Sequence, residues 1–93
     1  MKKILPMRFR MLHFFSKVNE ASTTDVMAGL HSEYGQEKYF KFKAIDEDLI
    51  SMKENGLIDI HRLEIENDVL VTYYKINEEG KNLLKNYLPK GWR

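Results

Sequence analysis

The 93-residue sequence contains no cysteine, and it has only two prolines and five glycines. The absence of cysteine excludes disulfide bonds and thiolate chemistry. With so few prolines and glycines and with 43% hydrophobic residues, the chain is expected to fold rather than to be disordered. No apolar run is long enough to span a membrane, and Arg8 and Arg10 interrupt the stretch that could serve as a signal peptide. We therefore expect residues 1–93 to form a single domain in the cytoplasm.

Charge is unevenly distributed along the chain, although the net charge is only +1. Residues 1–19 contain five basic residues and no acid, and four further basic residues follow Glu79 without an acid. The two ends therefore carry a charge of +9, and the middle of the chain carries −8. This asymmetry is the most informative feature of the composition.

Capping residues and helical spacing predict two helices in the first third of the chain. Pro6 can open the first helix, which the spacing of Met7 and Met11 supports and which is expected to end at Asn19. The sequence Ser-Thr-Thr-Asp at residues 22–25 is typical of a helix start. It predicts a short second helix that ends near Tyr34.

A third helix is predicted from Ile45, Leu49 and Met52, which stand at positions i, i+4 and i+7. We expect it to stop at Gly56, because glycine adopts the left-handed conformation that closes a helix at little steric cost. The apolar, β-branched run that begins directly after Gly56 predicts a strand. Gly56 is therefore the joint between a helix and a strand.

A hairpin and a last helix complete the predicted order. The strands are expected at residues 58–66 and 69–76, on either side of Asn67 and Asp68, which both tolerate the positive φ of a tight turn. Asn77 is expected to cap the last helix. Three helices, a two-stranded hairpin and a C-terminal helix predict the α+β fold of a winged helix-turn-helix, in which the hairpin is the wing.

Two segments resemble a known superfamily. AIDEDLISMKENGLI, residues 44–58, resembles the recognition-helix segment of DeoR-type and related bacterial winged-helix regulators. YYKINEEGKNLL, residues 73–84, is similar to the second wing strand and the following helix of MarR- and PadR-like regulators. The resemblance implies a transcriptional regulator without enzyme activity or cofactor. Such a regulator would insert the N-terminal end of the third helix into the major groove of duplex DNA.

Bases alternate with aromatic residues around the start of the third helix. Lys41 and Lys43 are expected to contact phosphates, and Tyr39 is expected to contact a sugar or a base. Phe40 and Phe42 are expected to be buried, as anchors of the linker in the core. The candidate DNA-binding residues are Lys38, Tyr39, Lys41, Lys43, Ala44, Glu47, His61 and Arg62. For the last two, an exposed strand face explains the residues equally well.

Acidic residues in the same region favour a different function. Asp46 and Glu47 stand where the DeoR-like pattern commonly has arginine, threonine or serine, and the hairpin tip at residues 66–68 is also acidic. Carboxylates repel phosphates, although acids in the first turns of a helix also complement its dipole. The alternative is a protein-interaction module, such as an anti-repressor or adaptor, that binds a basic protein surface through the third helix and the wing.

The first and last helices carry more apolar residues than one small core needs, which predicts a homodimer joined through them. The candidate interface residues are Phe9, Phe14, Leu84, Tyr87 and Trp92. His31 and Glu33 do not share a helix face and the histidines are scattered, so no metal site is expected. We find no glycine-rich phosphate loop, nucleophile motif or catalytic carboxylate pair, and therefore predict no catalytic residue.

Overall fold

The computed structural model describes residues 5–92, and it contains four α-helices and one antiparallel hairpin within that range. Lys2, Lys3 and Arg93 of the basic ends lie outside the described residues. In chain order the elements are α1 Met7–Phe15, α2 Thr23–Tyr34, α3 Phe42–Glu54, β1 Ile58–Glu66, β2 Val69–Ile76, α4 Glu78–Tyr87 and a short 3-10 turn Lys90–Trp92. The predicted α+β winged-helix architecture is confirmed, and both strands have the predicted bounds.

Helix α1 ends four residues before the predicted position, at Phe15 rather than at Asn19. The amide of Ser16 bonds to the carbonyls of both Leu12 and His13, and the Ser16 hydroxyl also donates to the His13 carbonyl. Such i to i−3 bonds tighten the last turn, and a serine side chain that bonds to the backbone competes with helix continuation. The apolar spacing therefore continues beyond the point at which the backbone leaves the helix.

The start of α2 is fixed by a reciprocal pair of hydrogen bonds. The Ser22 hydroxyl accepts from the Asp25 amide at 3.2 Å, and the Asp25 carboxylate accepts from the Ser22 amide at 3.0 Å. This capping box satisfies two backbone amides that would otherwise lack partners, and it confirms the predicted helix start. It also fixes the position of Thr23, which contacts α3.

The joint between α3 and β1 has the predicted geometry. Gly56 has a φ of +79°, the left-handed conformation. The Leu57 amide bonds to the Met52 carbonyl and the Gly56 amide bonds to the Lys53 carbonyl, both at 3.0 Å. These two bonds form a Schellman motif, which ends the helix and turns the chain directly into the wing.

The wing is a hairpin closed by two residues with positive φ, Asn67 at 52° and Asp68 at 63°. This conformation matches the right-handed twist of the strands. The pairing register shifts between Ile60 and Arg62, so that His61 is the extra residue of a β-bulge. At the base of the wing, Asn77 caps α4 by accepting from the Gly80 amide at 2.9 Å.

The core lies between the three N-terminal helices and the base of the wing. Its fully buried side chains are Met11, Leu12, Phe15, Val26, Leu30, Ile45, Leu49 and Ile58. The outer part of the wing, residues 59–70, extends beyond this core and is exposed throughout. Phe40 packs against the core, as expected, but the prediction for Phe42 is wrong: it is 54% exposed. As the first residue of α3, Phe42 lies in a cleft between α3 and β2 of the wing instead of in the core.

Candidate nucleic-acid interface

The residues on the solvent-exposed side of α3 can be identified from those that face the core. Because Ile45, Leu49 and Met52 face the core, residues on the opposite side of the helix are exposed to solvent. That exposed stripe consists of Lys43, Glu47, Ile50 and Glu54. It presents one base, two acids and one large apolar side chain. Sequence reasoning identified only the first two members, although the same helical spacing extends to the other two.

A group of exposed lysines lies at the N-terminal end of α3. Lys41 is the N-cap residue and its side chain forms no capping bond, while Lys38 and Lys43 lie on either side of it. Within residues 5–92 none of these three lysines forms an ion pair. The first amides of the helix have no intrahelical acceptor, and the helix dipole places partial positive charge there. This end of α3 is therefore suited to an anion.

The other predicted residues of this end lie at different depths. Tyr39 is 71% exposed, which leaves its ring free to contact a partner. Ala44 is half-buried, so its small side chain offers little contact surface. The lysines and Tyr39 therefore form the accessible part of the predicted site.

Two of the three clustered acids of α3 are engaged within the protein. The Asp46 carboxylate accepts a hydrogen bond from the Thr23 hydroxyl at 2.6 Å, which ties α3 to α2. The Asp48 carboxylate pairs with the Arg8 guanidinium at 2.8 Å, which ties α3 to α1. The first turn of α3 contains no acid, so the interpretation of these acids as first-turn dipole partners is not supported. Of the three, only Glu47 is exposed.

The wing bases are held by a network that sequence reasoning missed. Arg62 donates two hydrogen bonds to the Glu20 carboxylate, at 2.8 and 2.7 Å, and its guanidinium lies 4.0 Å from the centre of the Tyr73 ring. It also pairs with Glu64, and His61 lies 3.6 Å from the Glu20 carboxylate. The Arg62 bond lowers the pKa of Glu20 and raises the pKa of Arg62. The structure thus brings His61 and Arg62 to Glu20, in the loop before α2. Their hydrogen bonds and ion pairs do not involve the lysines at the start of α3.

Beyond Arg62 the wing carries acids and apolar side chains but no base as far as Tyr74. From Leu63 to Tyr74 the chain contains Glu64, Glu66 and Asp68 and no lysine, arginine or histidine. Its large exposed apolar residues are Leu63, Ile65, Val69 and Leu70. This stretch of the wing, which includes the tip, offers no cation to a phosphate.

Most of the predicted dimer residues are packed within the chain. Leu84 is buried in the core, and Phe9, Phe14 and Trp92 are half-buried against it. Trp92 also lies 5.1 Å from the His13 ring and 5.2 Å from the Arg10 guanidinium. Tyr87, on α4, is 70% exposed. Of the five residues, Tyr87 has the most surface available to a second copy.

Other kinds of site receive no support from the described part of the chain. Among residues 5–92 no group of three or more histidine, aspartate or glutamate side chains could hold a metal ion. No helix in that range has both the length and the apolar character needed to cross a bilayer.

Comparison with known proteins supports the architecture. Neither a protein-family model nor a curated protein matches the chain. A solved structure, that of Bacillus subtilis PadR in complex with operator DNA, is similar with a TM-score of 0.74 and 24% sequence identity. The match covers 90% of this chain and 47% of the PadR chain, so this chain spans about half of its neighbour's length. The fold is therefore a winged helix similar to the one in PadR.

Proposed function

We propose that the protein is a winged-helix transcriptional regulator that binds duplex DNA through the N-terminal end of α3. The observation that carries the proposal is the exposed group of Lys38, Lys41 and Lys43 at that end, on a fold similar to a protein solved with operator DNA. The bonds of Asp46 and Asp48 to other helices add to it, because they reduce the negative charge that α3 presents.

In the proposed complex the start of α3 enters the major groove. Lys41 and Lys43 bind phosphates, Tyr39 contacts a sugar or a base, and Glu47 opposes binding to arbitrary sequence. Arg62 contributes by orienting the wing, since its guanidinium is already paired with Glu20 and Glu64. Two copies joined through α1 and α4, with Tyr87 at the interface, would read two half-sites.

The second candidate function is a protein-interaction module without direct DNA binding. The acidic, apolar wing tip favours it, because a DNA-binding wing usually carries bases there, whereas the carboxylates of Glu66 and Asp68 repel phosphates. The two functions can be distinguished in solution, because the regulator binds duplex DNA and the interaction module does not.

The decisive experiment is fluorescence anisotropy of a mixed-sequence duplex across a salt series. The double variant Lys41→Ala/Lys43→Ala should bind more weakly and flatten the salt slope by about 2, since each phosphate contact contributes roughly 0.9 to it. Glu47→Lys should tighten binding, most of all at low salt, where charges are least screened. The matched control is Lys85→Ala/Lys90→Ala, which removes the same charge from the other end of the chain and should leave the slope unchanged. Non-specific dissociation constants typically lie at about 1–100 μM. If the parent protein fails to bind at low salt at a concentration of about 50 μM, the interaction module is the better proposal.

A further inference from the structure

One edge of strand β2 is only partly paired. On its first edge β2 bonds to β1 along its whole length. On the other edge, the described backbone bonds come from Ala21 alone: its amide and carbonyl exchange hydrogen bonds with Tyr74, both at 2.9 Å. Alternate residues of a strand direct their backbone groups to the same edge. The amides and carbonyls of Thr72 and Leu70 therefore point the same way as those of Tyr74, past the end of the Ala21 pairing.

A cleft of about 360 Å³ lies beside this open edge. The start of α2 at residues 22–24 and the side of α3 that carries Phe42, Asp46 and Ile50 form one wall, and β2 forms the other. Phe42 and Ile50 from α3 and Leu70 from the wing give the cleft exposed apolar surface. The Thr23–Asp46 hydrogen bond joins α2 and α3 within the same wall. The cleft thus combines backbone donors and acceptors with apolar side chains, as an extended peptide requires.

Charge distinguishes between possible occupants. On the wing side the cleft ends at the acidic tip, Glu66 and Asp68, with no base between Leu63 and Tyr74. On the α3 side the nearest bases are Lys41 and Lys43, which flank Phe42. A nucleic acid strand would therefore place phosphates against apolar side chains and carboxylates on the wing side, which is unfavourable. A cationic polypeptide would pair its charges with the tip instead.

We propose that this cleft binds an extended, apolar segment of a partner protein that carries lysine or arginine, and that the segment adds as a strand to the open edge of β2. The segment continues the pairing that Ala21 begins, and it bonds to the backbone of Thr72 and Leu70. Its apolar side chains contact Phe42 and Ile50, and its bases lie at the wing tip. This binding mode does not depend on the proposed DNA binding, because its contacts are to the wing and to Phe42 and Ile50, none of which is assigned a DNA contact.

The test uses an acetylated, amidated seven-residue peptide of alternating lysine and valine, titrated into the full chain. Hydrogen exchange measured by NMR should slow at the Thr72 and Leu70 amides and not at amides that already bond to β1. The same peptide with glutamate in place of lysine should bind about tenfold more weakly, which corresponds to a few surface charge pairs of roughly 0.5 kcal/mol each. A version with N-methylated valines, which cannot donate to the edge, should lose binding.

Two variants separate the backbone contact from the charge contact. Thr72→Pro removes a donor on the open edge, where proline is tolerated, and should weaken binding about fivefold. Asp68→Asn keeps a residue that accepts positive φ and should weaken the lysine peptide about threefold while leaving the N-methylated control unchanged. Glu79→Gln removes one negative charge from an exposed position on α4, away from the cleft, and should have no effect. Urea unfolding of each variant verifies that it folds.

Three outcomes would overturn the proposal. Equal affinity for the lysine and glutamate peptides would remove the charge argument, and full retention of binding by the N-methylated peptide would remove the strand pairing. Protection of Thr72 and Leu70 that increases with protein concentration and without peptide would assign the edge to a second copy of the chain. None of these measurements involves DNA, so their failure would leave the proposed regulator function untouched.

Discussion

Replacement of Gly56 tests the joint between α3 and the wing. At its φ of +79° an added Cβ would meet no heavy atom within 4 Å, so the cost of a substitution lies in the backbone conformation alone. The left-handed conformation costs an L-residue roughly 1–2 kcal/mol, and a β-branched side chain is less tolerant still. Gly56→Ala should therefore lose about 1 kcal/mol of unfolding free energy, and Gly56→Val should lose more. Asparagine accepts this conformation, so Gly56→Asn should recover part of the loss.

The assay is urea unfolding followed by circular dichroism, with thermal melting in parallel. For a domain of this size, 1 kcal/mol corresponds to a decrease of about 4–8 °C in Tm. Stability that decreases in the order parent, Gly56→Asn, Gly56→Ala, Gly56→Val indicates a backbone cost, because an added Cβ contacts no neighbouring atom. An unchanged midpoint in both Gly56→Ala and Gly56→Val would refute the reasoning.

Gly80 supplies a contrast, because its substitution should fail for a steric reason. A Cβ there would overlap the Leu57 carbonyl oxygen and would lie 2.8 Å from the Ile76 Cγ1. On an exposed helix, Gly→Ala would gain roughly 1 kcal/mol of helix propensity. Here overpacking costs of about 1–3 kcal/mol oppose that gain, so Gly80→Ala should destabilise. Gly56→Asn should therefore be less destabilising than Gly56→Ala, whereas Gly80→Asn should be no more stable than Gly80→Ala.

Two further predictions concern the wing network and assembly. Since Arg62 lowers the pKa of Glu20, their bond stabilises the fold fully above the ordinary value of 4.5 and loses its effect as the pH falls through the lowered value. Arg62→Ala should therefore lower the urea midpoint at neutral pH, and the difference from the parent should shrink in strong acid, where the contact with the Tyr73 ring remains. A difference that is constant with pH would contradict the ionic origin. Light scattering should give a dimer mass for the parent at micromolar concentration and a monomer mass for Tyr87→Glu. A parent that stays monomeric at all concentrations would exclude the α1–α4 interface.

The parts of the fold that follow local rules could be predicted from the sequence. The positive φ of Gly56, the two-residue turn at Asn67 and Asp68, and the caps at Ser22 and Asn77 each depend on a few consecutive residues. The end of α1 could not be predicted in this way, because the apolar spacing continues after the helix has tightened at Ser16.

The fate of individual charges could not be predicted from the sequence. Glu20 and Arg62 are 42 positions apart, Arg8 and Asp48 are 40 apart, and Thr23 bonds across 23 positions to α3. The sequence offers several bases as possible partners for each acid. Helical periodicity predicts the face of the helix on which an acid lies, but not which distant base pairs with it. For this reason the sequence alone assigns no partner to the three clustered acids of α3, whereas two of them, Asp46 and Asp48, are engaged.

Neutralising single acids of α3 distinguishes face-specific charge from net charge. Glu47→Gln and Asp48→Asn each change the net charge by +1, but Glu47 is exposed on the outer stripe, whereas Asp48 is paired with Arg8 on the flank. Glu47→Gln should tighten low-salt binding to an arbitrary duplex by about fivefold, since a close charge pair in water is worth roughly 1 kcal/mol. Asp48→Asn should change that affinity less and should instead lower stability, because it leaves Arg8 without its partner on α3. Urea unfolding measures the second effect and anisotropy measures the first. Equal gains in affinity from both variants would mean that net charge governs binding and that the outer stripe of α3 does not face the DNA.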